Sequence, residues 1–281
     1  MTAIKRIRRW SYSKTLLGGL VVAVYLFPVY WMAATSLKSF KDIFAVPPSL
    51  VPLPPVLTSY TVAVVNNPLV TESILNSVII SVGTLALTLA LAAPAAYGLA
   101  RLKLRFTVLA IFILLLSQML PTILIAGPLF IIFSRVGLVD SYAAVILADT
   151  TIITLPFAMI VLRPFFLSVP RDLEDAAMID GCSRFGAFWR VVLPQVRPGL
   201  ITVGAIAFLL AWGEFVFGLT LLTSEGLQPV TVALNKFIGQ YGTRWNNLMA
   251  VSTTIAIPII VVFASLQRYI VGGLTVGATK E

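Results

Sequence analysis

Acid is scarce in this chain: 11 of 281 residues are Asp or Glu. Four of them, Asp172, Glu174, Asp175 and Asp180, fall within nine positions. Carboxylates at that density suit charge-assisted hydrogen bonds to Arg or Lys of another surface. The residues among them are small. Leu173, Ala176, Ala177 and Gly181 recur at i, i+3, i+4 and i+8, which predicts one narrow helical face that another backbone can approach closely. Two more carboxyls, Asp149 and Glu214, stand inside long apolar runs, where an ionisable group is a functional candidate by default. Catalytic chemistry finds no such footing. There is no histidine, hence no His general base or His metal triad. The single Cys182 excludes an internal disulfide and a Cys-rich metal site. No G-x-x-x-x-G-K-[ST] occurs, so no P-loop is present. The chain is expected to hold no cofactor or metal of its own and to hydrolyse nothing.

The elements that must carry these residues follow from composition. The chain is 59% apolar and 11% charged, against about 45–50% and about 25% in a soluble domain. A soluble globule of this size cannot bury so much apolar side chain, so the composition predicts an all-α integral membrane protein. A spanning helix needs about 20 apolar residues. Six stretches qualify: 15–37, 76–100, 108–131, 142–166, 198–222 and 247–271. They are read as one transmembrane domain over residues 1–281. The first is too long for a cleavable signal peptide and lacks a cleavage site.

Orientation comes from Lys and Arg. One side of the membrane receives 15 of them: Lys5, Arg6, Arg8, Arg9, Lys14, Arg101, Lys103, Arg105, Arg163, Arg171, Arg184, Arg190, Arg197, Arg268 and Lys280. The other side receives Lys38, Lys41, Arg135, Lys236 and Arg244. The richer side is cytoplasmic, which places both termini there. The net charge of +9 thus reports topology rather than nucleic-acid binding. Outside, Pro47, Pro48, Pro52, Pro54 and Pro55 block regular helix between the first two spans. Pro121, Pro128, Pro156 and Pro258 predict kinks within spans, tolerated where neighbours satisfy the freed carbonyls.

The acidic cluster lies in the cytoplasmic segment 168–198, between spans four and five. Pro170 suits a first helical turn and the following acids favour the helix N-terminus. Gly181 is placed to end the helix and Ser183 to cap the next. An interfacial helix would carry large apolar and basic residues. This helix, 170–183, carries neither pattern, and reads instead as a knob for a basic groove.

Asp175-Ala176-Ala177, three residues, Gly181, nine residues, Val191, one residue, Leu193-Pro194 resembles the "EAA" motif of ATP-binding-cassette importer permeases, with Asp for Glu and Val for Ile. In that family the loop docks in a cleft of the cytoplasmic ATPase. The resemblance therefore implies ATPase-docking roles for Glu174, Asp175, Ala176, Ala177, Asp180 and Gly181. Asn76-Ser77, Trp212-Gly213-Glu214-Phe215 and Gln267-Arg268-Tyr269…Gly273-Leu274-Thr275…Gly277-Ala278 further resemble the smaller permease of maltose-type carbohydrate importers, with Gly213 where Asn is usual. The resemblance implies a cell (inner) membrane location and a six-span bundle. Its implied partners are a second permease subunit in a heterodimer, a dimer of ATPases binding ATP and Mg, an extracytoplasmic solute-binding protein and a sugar. It also implies that residues 275–281 reach the ATPase interface.

Asp149 lies about 10 Å into span four from its outer end, and Glu214 about 24 Å into span five from the inner side. With Gln118 and Trp212 they are candidates to line a sugar path, through carboxylate–hydroxyl hydrogen bonds and indole stacking. The other reading pairs each with a partner subunit, or with Arg135 or Lys236. A permease for a different solute and a self-contained secondary transporter are the alternatives. The latter needs ion-coupling groups, often on repeats, and no repeat is visible.

Overall fold

The computed structural model describes residues 2–102, 105–238 and 243–275, and every regular element among them is helical. The principal helices are α1 (Thr2–Ser36), α2 (Pro68–Arg101), α3 (Thr107–Ser117), α4 (Thr122–Arg135), α5 (Tyr142–Ser168), α6 (Arg171–Ile179), α7 (Arg184–Gln195), α8 (Arg197–Gly213), α9 (Val216–Leu221), α10 (Val230–Asn235) and α11 (Trp245–Thr275). Among the described residues, four helices are long and apolar enough to cross a bilayer: Lys14–Ser36, Pro68–Arg101, Tyr142–Ser168 and Trp245–Gln267. Two bent pairs, α3 with α4 at 98° and α7 with α8 at 78°, raise the number to six if each pair is one span.

Three expected stretches change shape. The second begins at Pro68, eight residues before position 76. The third is not one straight helix: Pro121 lacks an N–H to continue α3, and the chain bends there. The fifth is interrupted. The α8 helix stops at Gly213, Glu214 is extended, and α9 starts two residues later. Polar side chains and proline, which an apolarity window averages away, place both breaks.

Contacts divide the chain into two compact units. In the unit formed by residues 1–68 and 236–256, the proline-rich segment is tied to the end of α1. The Val56 amide donates to Leu37 O (2.8 Å), and Tyr30 donates to Leu50 O (2.8 Å). Lys38 donates its ammonium to Ser49 O (2.5 Å) and lies 4.2 Å over the Trp31 ring. Asn246 of α11 donates to Ser59 Oγ (2.9 Å).

The unit formed by residues 69–235 and 257–281 is built on α2 and α5, which run parallel in one register. Tyr142 donates to Asn76 Oδ1 (2.7 Å), and the Thr88 and Thr154 hydroxyls meet at 2.5 Å. Both pairs differ by 66 in sequence number. Close approach permits this: a Cβ on Gly83 would stand 2.6 Å from Ile146 Cδ1. One apolar core gathers Ala92, Ala93, Ala96, Leu162, Phe166, Phe188 and Val203 from α2, α5, α7 and α8. The other gathers Ile80, Ala126, Val145, Phe217 and Leu221 from α2, α4, α5 and α9. Between them lies a polar layer of Ser81, Thr84, Thr88, Asp149, Thr150 and Thr154, every one fully buried.

Candidate functional site

The acidic helix α6 is bounded as its sequence predicts. Pro170 precedes it with extended backbone, and Asp172 and Glu174 occupy its first turn. At its end Gly181 takes φ +89°, a left-handed conformation in which a side chain is strained. Its amide donates to Met178 O (3.1 Å) and that of Cys182 to Ala177 O (2.9 Å), closing a Schellman motif. Ser183 Oγ then accepts the Gly186 amide (3.1 Å) and caps α7.

The faces of α6 differ from the expected stripe. Ala177 is buried while Ala176 is exposed, so the small residues do not share one surface. The outward face is Asp172, Asp175, Ala176 and Ile179, at i, i+3, i+4 and i+7, with Asp180 and Gly181 beside it. Ile179 is 86% exposed. Three carboxylates therefore surround an exposed apolar tip.

Glu174 points the other way. Its Oε1 lies 2.6 Å from Arg101 Nε, and its Oε2 accepts the Tyr97 hydroxyl (2.8 Å). Arg101 also donates through Nη2 to Val169 O (2.6 Å), at the end of α5. Tyr97 packs on Phe166 and Phe188, with centroids 5.8 and 4.8 Å apart. The pair is nearly sealed, with side chains 8% and 12% exposed, so removing one partner strands the other's charge at a cost of about 3–5 kcal/mol. Sequence reading counted Arg101 only as a topological charge and passed over Tyr97. A basic residue ending a long helix, one turn after a tyrosine, was the available signal.

The intramembrane candidates occupy different settings. Asp149 opens a turn of π-helix over Asp149–Thr154. It is completely buried, and neither carboxylate oxygen has a hydrogen-bond partner among the described residues. The hydroxyls of Ser81, Thr84 and Thr150 and Nε1 of Trp212 are buried and unpartnered on the same terms. Trp212 is 1% exposed and stacks on Phe208 at 5.7 Å, so that neighbour covers one face of the indole.

Glu214 holds the break between α8 and α9. Its Oε1 accepts the Phe217 amide (2.9 Å) and its Oε2 the Gly218 amide (3.1 Å), satisfying donors that begin α9. Asp149 and Glu214 lie within electrostatic range of each other. Gln118, exposed at the bend between α3 and α4, donates to Ile152 O (3.1 Å). That carbonyl is four residues before Pro156, which has no N–H to offer it.

At the other end of the α2–α5 pair two side chains grip the segment 221–230. Asn76 donates to Gly226 O (2.8 Å) and Gln228 O (3.0 Å). Asp140, at φ 62°, accepts the Thr223 and Ser224 amides and the Ser224 hydroxyl (2.9, 2.8 and 2.5 Å). The Ser224 hydroxyl and amide hold the Asp140 carboxyl below its usual range. Residues 276–281, expected at an ATPase interface, lie outside the described residues.

Comparison with known proteins places this geometry. Residues 89–276 match the model of the family described as binding-protein-dependent transport system inner membrane component. The sulfoquinovosyl glycerol transport system permease protein SmoH of Agrobacterium fabrum is 35% identical over 255 residues, covering 91% of this chain and 89% of that protein. The trehalose transport system permease protein SugB of Mycobacterium tuberculosis is 35% identical over 281 residues, covering 98% of each. The diacetylchitobiose uptake system permease protein DasC of Streptomyces coelicolor is 34% identical, covering 91% and 92%. In fold, the chain is similar to one from a bacterial ABC transporter involved in the import of the acidic polysaccharide alginate. The TM-score is 0.79 at 21% identity, over 93% of this chain and 96% of that one.

Proposed function

The chain belongs to the binding-protein-dependent transport system inner membrane components, and from that premise we propose that it is half of the translocation pore of an ATP-driven sugar importer. Its relatives are by name permease proteins of transport or uptake systems for sulfoquinovosyl glycerol, diacetylchitobiose and trehalose, which supports a sugar as cargo. The partners in this reading are a second, related permease, a dimer of cytoplasmic ATPases that binds ATP and Mg, and an extracytoplasmic sugar-binding protein. One solved chain of similar fold comes from an alginate ABC transporter in complex with an alginate pentasaccharide-bound periplasmic protein. The chain sits in the cell membrane with both termini cytoplasmic.

The observation that carries the reading is the outward face of α6. Asp172, Asp175 and Asp180 stand exposed around Ala176, Ile179 and Gly181, on the side where basic residues otherwise predominate. Solvated carboxylates and an uncovered Ile suit a cleft with Arg or Lys at its rim and an apolar floor. Ala177 positions that face from within. ATP binding closes the ATPase dimer and displaces the docked helix. The bundle then shifts from inward- to outward-facing through differential affinity for the two states.

Of the four candidates for the sugar path, Gln118 is the exposed one. Asp149, Trp212 and Glu214 serve the interior of their unit in this conformation, and reach sugar only if the bundle opens between α5 and α8. Uptake kinetics of Asp149→Asn and Glu214→Gln decide that point: unchanged kinetics in both variants remove them from the path.

The experiment that tests the whole reading is purification of the tagged chain from its native host after gentle solubilisation. Co-purification of a stoichiometric ATPase, a second permease and a solute-binding protein is expected. ATP hydrolysis by that complex should rise with one member of a panel including trehalose, diacetylchitobiose and sulfoquinovosyl glycerol. A chain recovered alone and active in liposomes without ATP would overturn it.

A further inference from the structure

Four carboxylates crowd α6, and one of them does not face outward. Glu174 is held by two consecutive turns of α2, with Tyr97 on one oxygen and Arg101 on the other. The same guanidinium reaches Val169 O, so a single side chain joins the ends of α2 and α5 to α6. Phe166 of α5 and Phe188 of α7 close around the Tyr97 ring. An exposed ion pair adapts to motion at little cost. This one is nearly sealed: the Tyr97 hydroxyl donates to Oε2 and the guanidinium charge stands 2.6 Å from Oε1, so separating the charges is costly and the contact resists bending.

Beyond the joint, α2 and α5 continue side by side in their common register. Thr88 meets Thr154 and, just over three turns further from the joint, Asn76 meets Tyr142. The two helices are thus tied to each other at both of these levels as well as at the Arg101 end.

We propose that Arg101, Tyr97 and Glu174 are positioning residues that make α6, α2 and α5 one rigid body, so that a push on α6 moves the far ends of both spans. The source of the push rests on α6 being the ATPase-docking helix. The rigidity does not. The division of labour on α6 follows: Asp172, Asp175 and Asp180 meet the partner, while Glu174 passes the movement inward.

The test uses the purified transporter complex in nanodiscs, with Cys182→Ser and spin labels at Leu173→Cys, outside the partner-facing set on α6, and at Leu75→Cys, positions 42% and 59% exposed. Leu75 lies about 40 Å along α2 from Arg101, within the range of pulsed dipolar spectroscopy. One narrow distance is expected, the same without nucleotide and with ATP plus vanadate. Glu174→Gln and Arg101→Gln should each lose the narrow peak already without nucleotide. Tyr97→Phe, which removes one hydroxyl and spares the packing, should broaden it less and keeps the test intact if Arg101→Gln does not fold. The same variants should transport roughly 2- to 30-fold less per ATP hydrolysed.

A wild-type distance that shifts with nucleotide would overturn the rigid body. So would a narrow peak that survives in all three variants. Loss of the ATPase from Glu174→Gln with the peak intact would reassign Glu174 to docking and sink the proposal. Asp175→Asn serves as the separate control. An ATPase that stays bound to it contradicts the docking reading, while the nucleotide-free distances still decide the joint.

Discussion

At the scale of single residues, two of the intramembrane candidates, Gln118 and Glu214, are spent on the backbone. Gln118 supplies a donor to the Ile152 carbonyl, which Pro156, lacking an N–H, cannot serve. Gln118→Ala should cost about 0.6–1.7 kcal/mol, the range for interhelical hydrogen bonds in membranes, read as a lower melting temperature of the purified chain. Glu214 supplies acceptors for the amides that begin α9. Asp140 acts outside the spans, on the Thr223–Ser224 turn. Its carboxyl titrates below its usual range because Ser224 donates to the ionised form. The ionised group therefore favours the clamped turn above about pH 3.9, the ordinary Asp value. That preference is lost as pH falls through the lower, folded value. Protease sensitivity of the 222–228 segment should rise on acidification below that value in the wild type, and Asp140→Asn should show no such step.

At the scale of elements, α6 is a short helix with two unlike faces, and paired substitutions separate them. Ala176 is exposed and Ala177 buried. Ala176→Leu should leave the melting temperature of the chain unchanged and release the ATPase from the purified complex. Ala177→Leu adds three carbons to a closed space and should destabilise the chain by about 1–3 kcal/mol through overpacking. Equal effects of the two on stability would show that α6 has no free face. The bends at Pro121 and Glu214 belong to this scale as well, since each converts an apolar run into two helices of different direction.

At the scale of the whole molecule, the charges assumed to hold the ATPase are solvated and those that brace α6 are not. Screening shortens from about 8 Å at 0.15 M salt to about 3 Å at 1 M, and acts on exposed charges first. Raising KCl over that interval should release ATPase subunits from the complex well before the chain itself unfolds. Release measured by size exclusion, against unfolding followed in the same samples, checks the order. Dissociation that is indifferent to salt would mean that contacts other than Asp172, Asp175 and Asp180 hold the subunits together.

The amino-acid sequence by itself determined the class of protein, since 59% apolar side chain has no other solvent than lipid. It also determined where α6 begins and ends, because Pro170, Gly181 and Ser183 act on backbone within a turn of themselves. Its spaced motif, from Asp175 to Pro194, was enough to identify the permease family that residues 89–276 match. Only tertiary structure decided which way each carboxylate points. Whether Glu174 faces a partner or Arg101 depends on a residue 73 positions earlier. Whether Asp149 faces a channel or a buried layer depends on α2 and α5 sharing a register. Likewise, Glu214 sits in a run of apolar residues whose average conceals that its carboxylate caps the next helix. Local signals fix conformation over a few residues, whereas the partner of a side chain is chosen by packing among helices far apart in the chain.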